Sequence, residues 1–123
     1  MHWRPQHWMR LAAVSGLVSV AVGAFAAHGV TAPLAKELFK TAAQYQAIHA
    51  LATLACALFI NHAGRRARTA PGLFLGGSLL FSGSLYALAL GAPRWVGAVT
   101  PIGGLLFMAG WAVLIWAAGA VKT

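Results

Sequence analysis

The polar side chains best suited to chemistry in this chain recur at helical spacing around one histidine. Tyr45 and Gln46 precede His49 by four and three residues, and Thr53 follows it by four residues. Side chains spaced in this way lie on one face of an α-helix, so these residues form one polar stripe. A histidine in such a stripe can relay a proton, bind a polar ligand or hold two helices together.

A second polar stripe follows later in the chain. Ser78, Ser82 and Tyr86 repeat every four residues, beside Gly76 and Gly83, which permit close packing of helices. The two stripes therefore predict a hydrogen-bonded contact between two helices that face each other.

Composition excludes several classes of reaction. Glu37 is the single acidic residue, which excludes mechanisms with paired carboxylates and carboxylate-bridged metal pairs. Cys56 is the single cysteine, which excludes an intrachain disulfide framework and a cysteine-cluster metal site. A hydroxyl of Ser82 or Ser84 near His49 could act as a nucleophile, but no oxyanion hole can be identified. The composition therefore favours a non-enzymatic protein with no catalytic residue, no metal and no cofactor.

The charged residues divide the chain into four long apolar stretches. Of the 123 residues, 60% are hydrophobic and only 8% are charged, which is far from the composition of a soluble domain. The charge-free stretches are 11–35, 41–64, 69–93 and 95–121. Each can cross a bilayer once as a helix, and none can cross it twice. The sequence predicts an all-α membrane protein, a single antiparallel four-helix transmembrane bundle over 1–123, with helices at about 11–30, 41–61, 71–91 and 99–119.

Basic residues near the helix ends predict the orientation, because they stay preferentially on the cytoplasmic side. One side receives Arg4, Arg10, Arg65, Arg66, Arg68 and Lys122, and the other receives Lys36, Lys40 and Arg94. Both termini are therefore predicted to be cytoplasmic in a multi-pass protein of the cell (inner) membrane. The net charge of +8 requires no nucleic acid, because a basic rim against anionic lipid explains it. The expected partners are the lipid bilayer and a second copy of the chain or another membrane protein.

Several local features refine this arrangement. Pro33 can begin a short interfacial helix that continues into helix 2, and Thr100 can cap helix 4 ahead of a proline. A packing face on helix 1 is predicted from its small residues, which are Ser15, Ser19, Gly23 and Ala27. Interfacial positions are expected for Trp3, Trp8 and Trp116 on the inner side and Trp95 on the outer side, and Trp111 is expected to pack within helix 4.

Depths estimated from the helical rise bring the polar residues into the outer half of the membrane. The expected cluster comprises His28, Tyr45, Gln46, His49, Ser82, Ser84, Tyr86 and Thr100. Because helices 1 and 2 are joined by a short loop, His28 and His49 are expected within reach of each other and of Tyr86. The cluster could bind or pass a small polar species or engage a partner, or it could only fix the packing of the helices.

Four segments carry a resemblance to a known family. They are 23–29 (GAFAAHG), 41–52 (TAAQYQAIHALA), 80–86 (LFSGSLY) and 100–104 (TPIGG) with 109–111 (AGW). Together they resemble the YgdD family of small membrane proteins, a domain of unknown function (423) related to a small transmembrane protein of animals. The resemblance implies a four-helix integral membrane protein and supplies no reaction, ligand or catalytic residue. Its motif positions here are His28, Tyr45, Gln46, His49, Ser82, Gly83, Ser84, Tyr86, Thr100, Pro101 and Gly103.

Overall fold

A computed structural model describes residues 4–121, without the side chains of residues 60 and 61. The predictions for Trp3 and Lys122 therefore concern residues outside the described part of the chain. The long helices are α1 (Pro5–Gly29), α2 (Pro33–Ala63), α3 (Ala70–Ala89) and α4 (Thr100–Ala118), with short 3₁₀ helices at Gly64–Ala67 and Arg94–Ala98. The described residues form no strand, and all four long helices are long and apolar enough to cross a membrane. The all-helical class and the four predicted spans are confirmed.

Each long helix has a proline in its first turn, at Pro5, Pro33, Pro71 and Pro101. Proline is accommodated there because the amide that it lacks would have no partner within the helix. α2 is followed by Gly64, whose φ of +63° is a conformation that glycine adopts at little cost. These residues fix where the chain enters and leaves its helices.

Two predicted helix starts differ from the observed ones. α1 begins at Pro5, six residues before the predicted start, and α2 begins at Pro33 and runs unbroken for 31 residues. The interfacial segment after Pro33 is therefore continuous with α2, because its residues include strong helix formers. A helix of that length measures about 45 Å and exceeds the roughly 30 Å of hydrocarbon in a bilayer.

The helices pack mainly on their neighbours in the chain. The contacts of α1 with α2, of α2 with α3 and of α3 with α4 are extensive. The contacts of α1 with α3 and of α2 with α4 are slight. Half of the α2 span is buried, against 17% of the spans of α1 and α4. The pair α2–α3 is therefore the centre of the structure, and α1 and α4 flank it.

The α1–α2 contact is made by small residues, with one correction to the predicted face. Ala12, Ser19 and Ala26 are buried, and a Cβ added at Gly23 would lie 4.0 Å from the Cβ of Ala43. Ala27, by contrast, is exposed. Steps of four residues drift around a helix by about 40° each, so the contacting face advances by alternating steps of four and three.

The α3–α4 contact interlocks glycines with phenylalanine rings. A Cβ at Gly77 would lie 2.5 Å from the ring of Phe107, and a Cβ at Gly110 would lie 2.5 Å from the ring of Phe74. At Gly103 the added atom would strike the backbone of α3 at Phe81. The two helices can approach this closely only because these positions carry no side chain.

We predict that Gly103→Ala destabilises the protein and Gly104→Ala does not. Both variants gain the same helix propensity, but the new methyl at position 103 meets backbone, at an overpacking cost of about 1–3 kcal/mol. At position 104 the nearest side-chain atom of Phe81 lies at an ordinary 3.9 Å. The check is thermal unfolding of both variants in one detergent, and equal melting temperatures would contradict the α3–α4 packing described above.

Candidate functional site

His49 lies in the middle of α2, 4% exposed, with both ring nitrogens in hydrogen bonds. Its Nδ1 lies 2.8 Å from the carbonyl oxygen of Tyr45, and the indole N–H of Trp111 points to its Nε2 at 3.1 Å. An indole nitrogen can only donate and a carbonyl oxygen can only accept. The ring is therefore a neutral imidazole with its proton on Nδ1, and neither nitrogen is free for a ligand, a metal or a transferred proton.

Aromatic rings enclose this imidazole. Phe107 stacks on it with centroids 3.5 Å apart and planes within 6°, and Phe74 and Trp111 lie at 5.5 and 5.9 Å. Because Phe74 belongs to α3 and the other two belong to α4, the histidine joins three helices. The hydroxyl of Thr53, one turn further along α2, donates to the backbone carbonyl of His49 at 2.7 Å, so this hydroxyl also has a partner.

Gln46 forms a second polar centre on an adjacent face of α2. The hydroxyl of Tyr86 donates to Gln46 Oε1 at 2.5 Å, and Gln46 Nε2 donates to Ser15 Oγ at 3.2 Å. Ser15, Gln46 and Tyr86 belong to α1, α2 and α3, so this chain of bonds crosses three helices. Residues 46 and 49 are three apart and diverge by about 60° around the helix, which separates the two centres.

Ser82 and Ser84 of α3 bond outside these two centres. Ser82 Oγ donates to the carbonyl of Ala42 at 2.8 Å and ties α3 to α2. Ser84 Oγ lies 2.5 Å from Thr100 Oγ1 and donates to the carbonyl of Phe81 in its own helix. The predicted cap at Thr100 is wrong, because this residue is the first of α4, makes no capping bond and directs its hydroxyl to Ser84.

The predicted residues thus form separate pairs along the helices, and His28 joins none of them. His28 is exposed in the last turn of α1, whereas His49 lies 16 residues beyond Pro33, about 24 Å along α2. α2 starts at Pro33, two turns before the predicted start at about residue 41, so His49 lies correspondingly farther from the loop. The expected meeting of His28 with His49 is therefore wrong, and Tyr86 bonds to Gln46.

Tyr45 also plays a different part from the one its position in the stripe predicts. Its side chain is 40% exposed, packs on Phe81 with ring centroids 4.8 Å apart and lies nearly parallel to the His49 ring at 6.3 Å. Its hydrogen bond with His49 comes from the backbone carbonyl. Gln44, one residue earlier, is exposed.

Sequence reasoning missed Trp111 and Phe107 as partners of the histidine. The position of Trp111 in helix 4 predicts only packing, yet its indole supplies the hydrogen bond to Nε2. A usable signal existed, because an indole N–H in the middle of a membrane helix needs an acceptor. Phe107 lies four residues earlier on the same helix face and stacks on the ring that Trp111 contacts.

A groove opens between α1 and α3, where these two helices barely touch. Its volume is about 470 Å³, and its polar lining residues are Ser15, Gln46, Ser78 and Tyr86. We call it the α1–α3 groove; it is also lined by Leu11, Val14, Val18, Leu75, Leu79 and Gly83. The hydroxyl of Ser78 is buried beneath the surface of the groove and has no hydrogen-bond partner among the described residues.

Comparison with known proteins places the chain in a family. The family model described as "Protein of unknown function (DUF423)" matches residues 22–104. The chain belongs to this family. A "UPF0382 membrane protein" of Haemophilus influenzae is 46% identical over 112 residues, which cover 89% of this chain and 90% of the relative. The Escherichia coli K12 "UPF0382 inner membrane protein YgdD" is 42% identical over 115 residues, which cover 90% and 86% of the two chains.

Family membership confirms the resemblance and the membrane location. A "UPF0382 membrane protein" of Staphylococcus epidermidis is 40% identical over 108 residues, covering 85% of this chain and 88% of the relative. No solved structure matches the chain. This DUF423 chain is an integral, multi-pass membrane protein of unknown function, and its Escherichia coli relative is an inner membrane protein by name.

We predict that His49→Ala destabilises this DUF423 protein and that the same substitution at His28 does not. The loss of the imidazole leaves the indole N–H of Trp111 unpaired and empties the aromatic enclosure, at a cost of about 1–3 kcal/mol. An exposed residue replaced by alanine changes stability by about 0.5 kcal/mol or less. Unfolding in detergent measures both variants, and a His28 variant as unstable as the His49 variant would contradict the site described above.

Proposed function

We propose that the protein binds a small molecule from the bilayer in the α1–α3 groove. The observation that carries this proposal is the groove itself, an uncharged gap between two membrane-spanning helices with the Gln46 amide in its lining. One N–H of that amide donates to Ser15, and the second has no acceptor among the described residues. Hydrocarbon offers it none, and an acceptor atom of a bound molecule would supply it.

The shape and position of the groove support the same function. A volume of about 470 Å³ falls within the range of small-molecule sites, roughly 300–1,000 Å³. The groove lies between membrane-spanning helices that barely touch, so a molecule dissolved in the bilayer can enter sideways. Aliphatic walls with a few uncharged polar groups suit an amphipathic molecule.

A second function is favoured by the other face of α2. Both nitrogens of His49 are engaged within the protein, which is the arrangement expected of a residue that fixes helix packing. In this alternative the protein is a structural or assembly component of the membrane, with a second copy or another membrane protein as its partner, and nothing occupies the groove except bulk lipid.

We also propose that the four helices are antiparallel neighbours with both chain termini in the cytoplasm. The Arg66 guanidinium donates to the carbonyl of Trp116 at 3.2 Å and lies 4.9 Å from its ring, so the segment after α2 and the end of α4 meet. A Cβ at Gly72 would lie 3.8 Å from Trp8, which brings the starts of α1 and α3 together. The same end of the protein carries most of the basic residues, as the cytoplasmic side does.

This topology predicts one-sided labelling of two engineered cysteines. In a Cys56→Ala background, Thr69→Cys should react with an impermeant maleimide only from the cytoplasmic side, in inside-out vesicles. Ala92→Cys should react only from the opposite side, in intact spheroplasts. Each variant is the control for the other, and the reverse pattern would contradict the orientation.

The proposed function predicts that a larger side chain introduced into the groove prevents the ligand from binding. A Cβ at Gly83 has no atom within 4 Å, so Gly83→Leu should occupy the groove without disturbing the fold. Ala112→Leu adds a similar side chain to an exposed position of α4 that does not line the groove, and serves as the control. Native mass spectrometry of protein released directly from membranes should show a bound small molecule on the wild type and on Ala112→Leu, but not on Gly83→Leu. Absence of bound molecules from all three, or their retention on Gly83→Leu, would contradict the function.

A further inference from the structure

We infer that the basic end of the protein binds an anionic phospholipid, with the phosphate against Arg66 and one acyl chain in a cleft between α2 and α4. The basic end is the part of the protein around the contacts of Arg66 with Trp116 and of Trp8 with Gly72. It carries Arg4, Arg10, Arg65, Arg66 and Arg68. The cleft shares no lining residue with the α1–α3 groove, so this inference does not depend on the function proposed for that groove.

The cleft lies between the last turns of α2 and α4, two helices that touch only slightly. Its volume is about 170 Å³, and every lining residue is apolar: Ala55, Cys56, Phe59, Ala63, Ala67, Leu114, Ala117, Ala118 and Val121. We call it the α2–α4 cleft. Phe59 and Ala118 are exposed, so the cleft is open to the surrounding lipid.

The depth of the α2–α4 cleft fits the upper part of an acyl chain. Along α2 it extends inward from Ala63, the last residue of the helix, to Ala55, about 12 Å away. A phospholipid acyl chain starts just below its headgroup and runs inward from there. A chain in this cleft would therefore place its phosphate at the basic end of the protein.

Arg66 is fixed beside the α2–α4 cleft. Its guanidinium donates to the carbonyl of Trp116 at 3.2 Å and lies 4.9 Å from the indole ring. Ala67 and Ala117, the residues that follow these two in the chain, both line the cleft. A headgroup held by Arg66 therefore lies next to the cleft that receives its acyl chain.

Most of the hydrogen-bonding capacity of Arg66 is available to a ligand. A guanidinium has five N–H groups in a planar fork, which matches two oxygens of a phosphate. Among the described residues, the carbonyl of Trp116 is the acceptor for one of these groups. The contact with the indole ring holds the fork in place before the ligand arrives, which reduces the entropy lost on binding.

The charge of the basic end favours an anionic headgroup. Arg65 and Arg68 flank Arg66 around the short 3₁₀ helix and are exposed. Glu37 is the single acidic residue of the chain and lies about 39 Å along α2 from Ala63, so no acidic side chain neutralises these arginines. They attract a phosphate and repel the ammonium group of a zwitterionic lipid.

The test uses the full chain in phosphatidylcholine nanodiscs and two photoreactive lipids with the same diazirine-bearing acyl chain, a phosphatidylglycerol and a phosphatidylcholine. Labelled residues are identified by mass spectrometry. The phosphatidylglycerol probe should label cleft residues such as Phe59 and Leu114 saturably, and unlabelled phosphatidylglycerol should displace it. The phosphatidylcholine probe should label them weakly and without saturation. Glycerol 3-phosphate, which has the phosphate but no acyl chain, should not displace the probe.

Arg66→Gln and Arg94→Gln separate the phosphate contact from net charge. Each removes one positive charge, but Arg94 is exposed in the segment between α3 and α4, at the other end of the protein. Arg66→Gln should weaken saturable labelling about tenfold, the effect of one lost hydrogen bond to a charged group, and Arg94→Gln should leave it unchanged. Arg65→Gln and Arg68→Gln should each weaken it about fivefold, the effect of one basic residue near the membrane surface.

Ala118→Leu and Ala112→Leu test the position of the acyl chain. Both alanines are exposed on α4, but Ala118 lines the α2–α4 cleft and Ala112 does not. A leucine at position 118 occupies space that the acyl chain needs, so it should weaken saturable labelling by about fivefold or more. Ala112→Leu should be labelled as the wild type is.

Each part of the inference has a result that would overturn it. Saturable labelling by phosphatidylcholine as strong as that by phosphatidylglycerol would overturn the anionic class. Displacement by glycerol 3-phosphate as effective as that by the lipid would overturn the phospholipid in favour of a soluble anion. Wild-type labelling of Ala118→Leu would overturn the position of the chain.

The arginine variants decide the position of the phosphate. Wild-type labelling of a folded Arg66→Gln protein would overturn that position. If Arg66→Gln does not fold, the exposed variants Arg65→Gln and Arg68→Gln decide, and wild-type labelling of both would contradict the inference. Absence of saturable labelling by either probe would overturn the site altogether and leave the α1–α3 groove unaffected.

Discussion

The lack of water inside a bilayer is the constraint on which this structure depends. A polar group in the hydrocarbon region is costly unless it has a hydrogen-bond partner, and α2 supplies most of the partners within the protein. One face of α2 presents His49 to the indole N–H of Trp111, and the adjacent face presents Gln46 to Tyr86 and Ser15. Hydrogen bonds therefore tie both flanking helices to α2, and α2 is the most buried span.

Close packing and polar pairing depend on each other at the α3–α4 contact. Gly103 lets α4 rest against the backbone at Phe81, and Gly110 and Gly77 receive the rings of Phe74 and Phe107. With the helices this close, Phe107 stacks on His49 and Trp111 reaches its Nε2. α1 has no comparable contact with α3, and the gap between them is the groove lined by Gln46 and Tyr86. The same fold thus contains one closely packed polar site and one open site.

The sequence predicts the spans well because charge and length alone limit where a chain can cross hydrocarbon. It also predicts that polar residues of α2 and α3 bond across the helices, because the spacing places each set on one helix face. Gln46 and Ser82 make such bonds, with Tyr86 and with the carbonyl of Ala42. It does not predict that Trp111 bonds to His49, because spacing within a helix says nothing about the rotation of another helix against it. The pairing of His28 with His49 was wrong for a related reason, since a shift of the α2 start by two turns moved His49 away from the loop.

The tautomer of His49 tests the central claim most directly. In protein labelled with ¹⁵N at histidine and tryptophan and embedded in liposomes, solid-state NMR separates protonated from unprotonated ring nitrogens, and a His49→Phe variant assigns the signal. The structure predicts a neutral ring with a protonated Nδ1, a bare Nε2 and a through-space correlation between Nε2 and the indole N–H of Trp111. A ring protonated at Nε2, or no correlation with Trp111, would contradict it.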